Sequence, residues 1–137
     1  MQQEPVVHSL SGSLVALVEV EFTAQLEYRA DDPFAVQMVF GADCALDESP
    51  VTWTFARHLL VEGLHAPAGR GDVRVRPHNR EQTAIEFRTA AGCAVLMVRT
   101  ADVRSFLAAT QQVVPLGSEG RLIAWDEELA ALTQERH

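Results

Sequence analysis

The sequence predicts an α+β fold: two packed antiparallel β-sheets of about seven strands, with one short helix and two C-terminal helices. Three observations predict it. From Val18 to Tyr28 apolar Val18, Val20, Phe22, Ala24, Leu26 and Tyr28 alternate with polar Glu19, Glu21, Thr23, Gln25 and Glu27. A faultless period of two marks a half-buried strand. Shorter stretches of the same period recur on both sides of a helical-period stretch around Leu60, so the strands fall into two groups. Helical period returns after Thr100 and again after Asp126. Neither group of strands can bury both faces of a sheet alone, so two sheets sharing one core, with helices closing an end, is the expected arrangement. A length of 137 residues predicts one domain, residues 1–137, large enough to bury a core.

In chain order, Val6 to Leu17 reads as extended, with Gly12 as a bulge or bend. The long alternating strand follows. Ala30-Asp31-Asp32-Pro33 is a turn, because Asp side chains bond the local backbone and Pro fixes φ. Phe34, Val36, Met38 and Phe40 line one face of the next strand. Gly41 to Pro50 is a loop with three acids. Val51, Trp53 and Phe55 alternate with Thr52 and Thr54 in a fourth strand. Phe55, Ala56, Leu59 and Leu60 then take helical spacing, and Gly63 and Pro67 end that helix. After a turn at Gly69 to Gly71, Val73 and Val75 alternate with Arg74 and Arg76, and Pro77 closes the strand. Gln82 to Arg88 and Cys93 to Arg99 form a hairpin through Ala90-Ala91-Gly92. Thr100 reads as an N-cap with Asp102 near the positive helix end. Val103, Phe106, Leu107, Thr110 and Val114 mark the buried face of that helix, which Pro115 ends. Asp126 opens the last helix, with Leu129 and Leu132 on its buried side and Arg136 near its end.

Charge and composition exclude several classes. The net charge is −8, every basic residue is arginine, and lysine is absent. The charge is uneven: Gly69 to Arg104 carries seven Arg against four acids. An acidic whole repels nucleic-acid backbones and membrane surfaces. No apolar run approaches the roughly 20 residues that span a bilayer, so no membrane insertion is expected. The first residues lack the basic and apolar regions of a secretory signal, and a cytoplasmic protein is expected. Cys44 and Cys93 make no zinc or CxxC spacing, and free thiols are expected.

The stretch Phe55 to Pro77 gathers two His, four Arg, three Gly and two Pro. A P-loop needs a strand, a glycine loop with lysine, then a helix. Here the order is helix, turn, strand. A dinucleotide fingerprint fails because the glycines do not open a helix. His58 and His65 stand seven apart across Gly63, without an H-E-x-x-H pattern, so no metal is expected. Ser105 is placed in a helix, Ser9, Ser11 and Ser13 in a strand, and Cys93 in a strand expected to be buried, where a thiol stays protonated. No nucleophile–base set can be named, so no catalytic residues and no cofactor are expected. Arg70, Arg74, Arg76, Arg80 and Arg88 could make a cationic sheet face for single-stranded nucleic acid. Such binders also expose stacking aromatics. Phe22, Phe34, Phe40, Trp53, Phe55 and Phe87 all read as core, and Glu81 and Glu86 sit among the arginines. A solvated face with cross-strand ion pairs is the favoured reading. For a protein partner, the loop Leu116, Gly117, Ser118 and Glu119 is a candidate, with a plain connector between helices as the equal alternative. It joins two helices, exposes an apolar residue and has a glycine for a tight turn.

Several of these segments carry a resemblance. "DDPFAV" (Asp31 to Val36), "WTFARHLLVEGLHAPAGRGDVRVRP" (Trp53 to Pro77), "SFL" (Ser105 to Leu107) and "VPLGSE…DEEL" (Val114 to Leu129) resemble the SsgA-like proteins of sporulating actinobacteria. The resemblance implies a non-enzymatic regulator of sporulation-specific cell division that recruits and positions the tubulin-like GTPase FtsZ at septum sites. It implies FtsZ and an SsgA-type protein as partners, a homotrimer, a location at the division septum, and a fold similar to the Whirly single-strand-binding proteins.

Overall fold

Strand β1 (Val6–Val15) is the spine of the molecule. The computed structural model describes residues 5–15, 20–40, 51–89 and 92–119. On one side β1 pairs along its length with β2 (Val20–Tyr28), from Val6 opposite Tyr28 to Leu14 opposite Val20. Beyond β2 lie β3 (Ala35–Phe40) and β4 (Val51–Ala56). Helix α1 (Arg57–Gly63) leads to β5 (Val73–Pro77), and then β6 (Gln82–Thr89) and β7 (Gly92–Arg99) form the hairpin. Helix α2 (Thr100–Val113) follows at once. The sheet order is β4-β3-β2-β1-β7-β6-β5, with every neighbouring pair antiparallel.

The two sheets expected from the sequence are therefore one. The join is β1 with β7, where Gly12, Ser13, Leu14 and Val15 face Val98, Met97, Leu96 and Val95. Gly12 is no bulge against β2, since that register runs through it unbroken, and it is the residue at which pairing with β7 begins. It marks a close approach: a Cβ there would lie 2.0 Å from the Met97 carbonyl oxygen.

The sheet curls until its two ends share a core. Phe87 on β6 meets Trp53 and Phe55 on β4 and Phe40 on β3, with ring centroids 4.8, 6.5 and 6.0 Å apart. Inward-facing Leu26, Val36, Met38, Val75 and Ile85 are fully buried. Each contributes about 1.5–3 kcal/mol of apolar burial, which drives the curl. The result is nearly a barrel, open along a seam between β4 and β5. That seam holds a cleft of about 440 Å³ lined by Trp53, Phe55, Leu59, Arg70, Asp72 and Val73 among others.

Both helices are held by packing more than by caps. Helix α1 is 7 residues long, without a side-chain cap or an acid in its first turn, and is too short to persist alone. Leu60 is fully buried, and Gly63 lets the helix lie against Val75, whose Cγ1 stands 2.2 Å from where a Cβ would be. Helix α2 stops one end of the curl with buried Val103, Phe106, Leu107 and Thr110, and Phe106 meets His8 on β1 edge to face at 5.7 Å. Thr100 does not cap it. Its hydroxyl is buried 2.8 Å from that of Thr83, and the cap position is Arg99. Asp102 does sit in the first turn. No helix among the described residues is long and apolar enough to cross a membrane. The loop from Gly41 to Pro50 with Cys44, the turn residues Ala90 and Ala91, and the helix expected from Asp126 lie outside the described residues.

Candidate functional site

Arg57, the first residue of α1, is buried to 1% exposure. Two features put it there. β4 enters the helix without a break, and Arg57, Leu60 and Gly63, three apart, form the buried face of α1. Its guanidinium lies over the ring of Tyr28 on β2, 4.7 Å from the centroid, a geometry in which a cation is attracted to the ring face. Nη1 donates to the carbonyl of Val114 at 2.7 Å and to the Thr110 hydroxyl at 3.3 Å. Thr110 can accept because its own proton goes to the Leu107 carbonyl at 2.7 Å. Nη2 donates to Glu119 Oε1 in an ion pair. The Arg57 backbone N–H donates to the Phe34 carbonyl at 2.7 Å. One residue thus ties the entry to β3, the C-terminal end of α2 and the loop after it.

That loop is Leu116, Gly117, Ser118 and Glu119. Pro115 follows the end of α2, and the Ser118 N–H returns to the Pro115 carbonyl at 3.0 Å. Gly117 has φ +90°, where a side chain would be strained. Its N–H donates to Glu119 Oε2 at 3.0 Å. Glu119 therefore uses one oxygen on the buried Arg57 and the other on the turn. Leu116 is left 37% exposed. Phe34, expected in the core, is 49% exposed. It precedes β3 in the turn that follows Tyr28, so the strand period does not govern it. Tyr28 closes that turn from below, its hydroxyl donating to the Pro33 carbonyl at 2.9 Å. Two exposed apolar residues therefore lie on segments bonded to the same arginine.

The electrostatics fit this arrangement. Burial pushes the Glu119 carboxyl up, but hydrogen bonds from Arg57 and the backbone, with the Arg57 charge, outweigh it and hold it below the usual range. Burial pushes the Tyr28 hydroxyl up against the pull of Arg57, so it stays a neutral donor. A carboxyl depressed in the folded state adds stability above its unfolded pKa of about 4.3 and loses it as pH falls through the lower folded value. The urea midpoint difference between wild type and Glu119→Gln is expected to be constant from pH 6 to 8 and to shrink below about pH 4.3. A difference that ignores pH would show that the Glu119 charge adds nothing.

The arginines resolve differently. Arg74, Arg76 and Arg88 lie on the outer face of β5 and β6, around Glu86. Arg76 bonds Glu86 at 3.3 Å and Arg88 approaches it at 3.9 Å. The Arg76 contact crosses from β5 to β6, while Arg88 shares β6 with Glu86. Arg70 is apart from them, exposed at the seam, and Arg80 is exposed in the turn before β6. The aromatics of β2, β3, β4 and β6 face the opposite, inner side, which leaves the arginines no stacking surface on these strands. Cys93, expected to be buried in its strand, is exposed. Its thiol donates to Glu86 Oε1 at 2.7 Å, and that bond first, with partial desolvation and the Glu86 charge adding to it, pushes its pKa up. The same bond is the largest cause holding the Glu86 carboxyl down, with help from Arg76, Arg88 and Arg74. His58 pairs with Glu62 at 2.8 Å on the surface of α1, and among the described residues no three His, Cys, Asp or Glu side chains group to hold a metal ion.

Residues 22–119 match the family model for the Streptomyces sporulation and cell division protein SsgA. The chain belongs to the SsgA family. Among its SsgA-family relatives is the sporulation-specific cell division protein SsgB of Kineococcus radiotolerans, 43% identical over 115 residues, which span 80% of this chain and 67% of that protein. SsgB of Streptomyces coelicolor is 40% identical over 115 residues, 82% of each chain. The crystal structure of an SsgA-like sporulation-specific cell division protein from Thermobifida fusca YX-ER1 superposes with a TM-score of 0.81 at 30% identity, covering 96% of this chain and 97% of that one. The SsgA-family match ends at Glu119, so it takes in the whole network from Tyr28 to the loop.

Sequence reasoning placed the loop and missed its anchors. The signal for Arg57 was present: an arginine three residues before Leu60 shares its side of a short helix. For Tyr28 the alternation placed the ring inward but carried no sign of the cation above it.

Proposed function

We propose that this SsgA-family chain is a non-enzymatic docking protein of sporulation-specific cell division, recruiting and positioning FtsZ at septum sites in the cytoplasm. The observation that carries this reading is Leu116, exposed on a turn that Glu119 ties to the buried Arg57. An ordered apolar residue on a loop contributes to binding at little entropic cost. Relatives described as sporulation-specific cell division proteins supply the process. An SsgA-type protein is the second partner, and copies assemble as a homotrimer. The edge of β4, unpaired among the described residues, with Val51 exposed and no charge or proline along Val51–Ala56, is a surface that assembly would cover. A trimer engages a filament through several weak contacts that multiply by avidity.

Co-sedimentation with FtsZ filaments assembled with GTP tests the reading. The wild-type chain is expected in the pellet. Gly117→Val, which forces a branched side chain into φ +90°, is expected to fold and to lose about tenfold in filament affinity, since a strained φ costs on the order of 1–3 kcal/mol or moves the turn. A wild-type chain that stays in the supernatant at all salt concentrations would end direct recruitment.

A further inference from the structure

We propose that Arg57 is the positioning residue of the docking loop, acting through Glu119 on Gly117 and Leu116. The inference rests on the reading that the Leu116 loop contacts the partner, and it names what sets that loop's shape. Arg57 itself is sealed from solvent and cannot touch a partner. Its guanidinium is fixed by three independent contacts: the Tyr28 ring, the Val114 carbonyl and the Thr110 hydroxyl. These three come from β2 and from the end of α2, so the fork has one orientation before the loop is considered. Nη2 is then turned toward Glu119 and donates to it. The Glu119 carboxylate bridges Nη2 and the Gly117 N–H, which transfers the rigidity of the core to a turn otherwise made by two backbone groups. Lysine would not substitute, because a single ammonium cannot serve a carbonyl, a hydroxyl and a carboxylate spread over a planar fork. The Phe34 carbonyl is held by the backbone N–H of the same residue. Phe34 and Leu116 are thereby set relative to one frame.

The test uses the full chain in three variants, with amide exchange and FtsZ co-sedimentation as readouts. Glu119→Gln keeps shape and removes charge, and Arg57→Lys keeps charge and removes the fork. In both, the Gly117 amide is expected to exchange about tenfold faster, while buried α2 amides such as that of Leu107 keep their rates. Affinity for FtsZ filaments is expected to fall about fivefold in step with it. A merely structural role would slow or speed all of α2 together. Should Arg57→Lys fail to fold, Glu119→Gln, at the more exposed partner, still decides. Unchanged Gly117 exchange in folded Glu119→Gln overturns the proposal. Leu116→Ser separates the two claims. Weakened binding in Leu116→Ser with wild-type binding in Glu119→Gln removes the positioning role alone. Wild-type binding in Leu116→Ser removes the docking reading, and with it the purpose of the positioning.

Discussion

Arg57→Ala is expected to lower the unfolding free energy by about 3–5 kcal/mol, the cost of removing one partner from a buried ion pair. Three acceptors lose their donor at once: the Val114 carbonyl, the Thr110 hydroxyl and the Glu119 carboxylate. The Tyr28 ring loses the group packed on its face. Glu119 retains 13% exposure, so water relieves part of its loss and the lower half of that range is the better expectation. For a chain of this size the melting temperature falls by about 10–15 °C. The double variant Arg57→Met, Glu119→Leu separates charge from packing. It leaves no unpaired ion and is expected to recover most of the stability, because apolar groups of like volume replace buried ion pairs at little cost. Thermal melts of the three chains check this. An Arg57→Ala chain within about 1 kcal/mol of wild type would mean that solvent already reaches the pair.

If the double variant is stable yet binds poorly, the ion pair is retained for the shape of the loop and not for stability. Among the described residues Arg57 Nε has no hydrogen-bond partner. A buried N–H left unsatisfied costs about 1–3 kcal/mol, so the arginine is an expensive way to fill this space. An apolar side chain would serve the core better. What a fork of donors does here and an apolar side chain cannot is hold Glu119 and Val114 together.

Much of the fold was legible because side-chain period reports one thing well, which face is buried. Every inward residue from Phe22 to Tyr28 is apolar and buried, and the hairpin of β6 and β7 begins and ends within a residue of its reading. Period says nothing about which strands meet. The pairing of Gly12 with Val98 joins residues far apart in the chain, and no local pattern carries it. The same limit applies to the site. Thr110, Val114 and Glu119 lie 53, 57 and 62 residues from Arg57, so the network exists only once the sheet has curled. Phe34 was misread because its spacing from Val36 continued the strand's period into a turn whose backbone had already left the sheet.

Gly12→Ala is expected to be the most damaging single methyl group in the described structure. Its Cβ would stand 2.0 Å from the Met97 carbonyl oxygen, 3.0 Å from the Met97 carbonyl carbon and 3.1 Å from Phe22 Cε1. Two of these atoms are backbone and cannot rotate away. Relief requires moving β1 from β7, and among the described residues that pairing is the one strand join between β4-β3-β2-β1 and β7-β6-β5. The loss is expected at or above the upper end of ordinary overpacking, about 3 kcal/mol. Faster exchange is expected at Ser13 to Val15 and Val95 to Val98, the residues along the join. Gly71→Ala is the control, since nothing lies within 4 Å of the added methyl. It should be neutral or slightly stabilising, by about 0.4–1 kcal/mol, through the unfolded chain alone. A Gly12→Ala chain as stable as Gly71→Ala would mean that β1 and β7 do not approach as closely as the single curled sheet requires. The joined sheet would then give way to two sheets packed face to face.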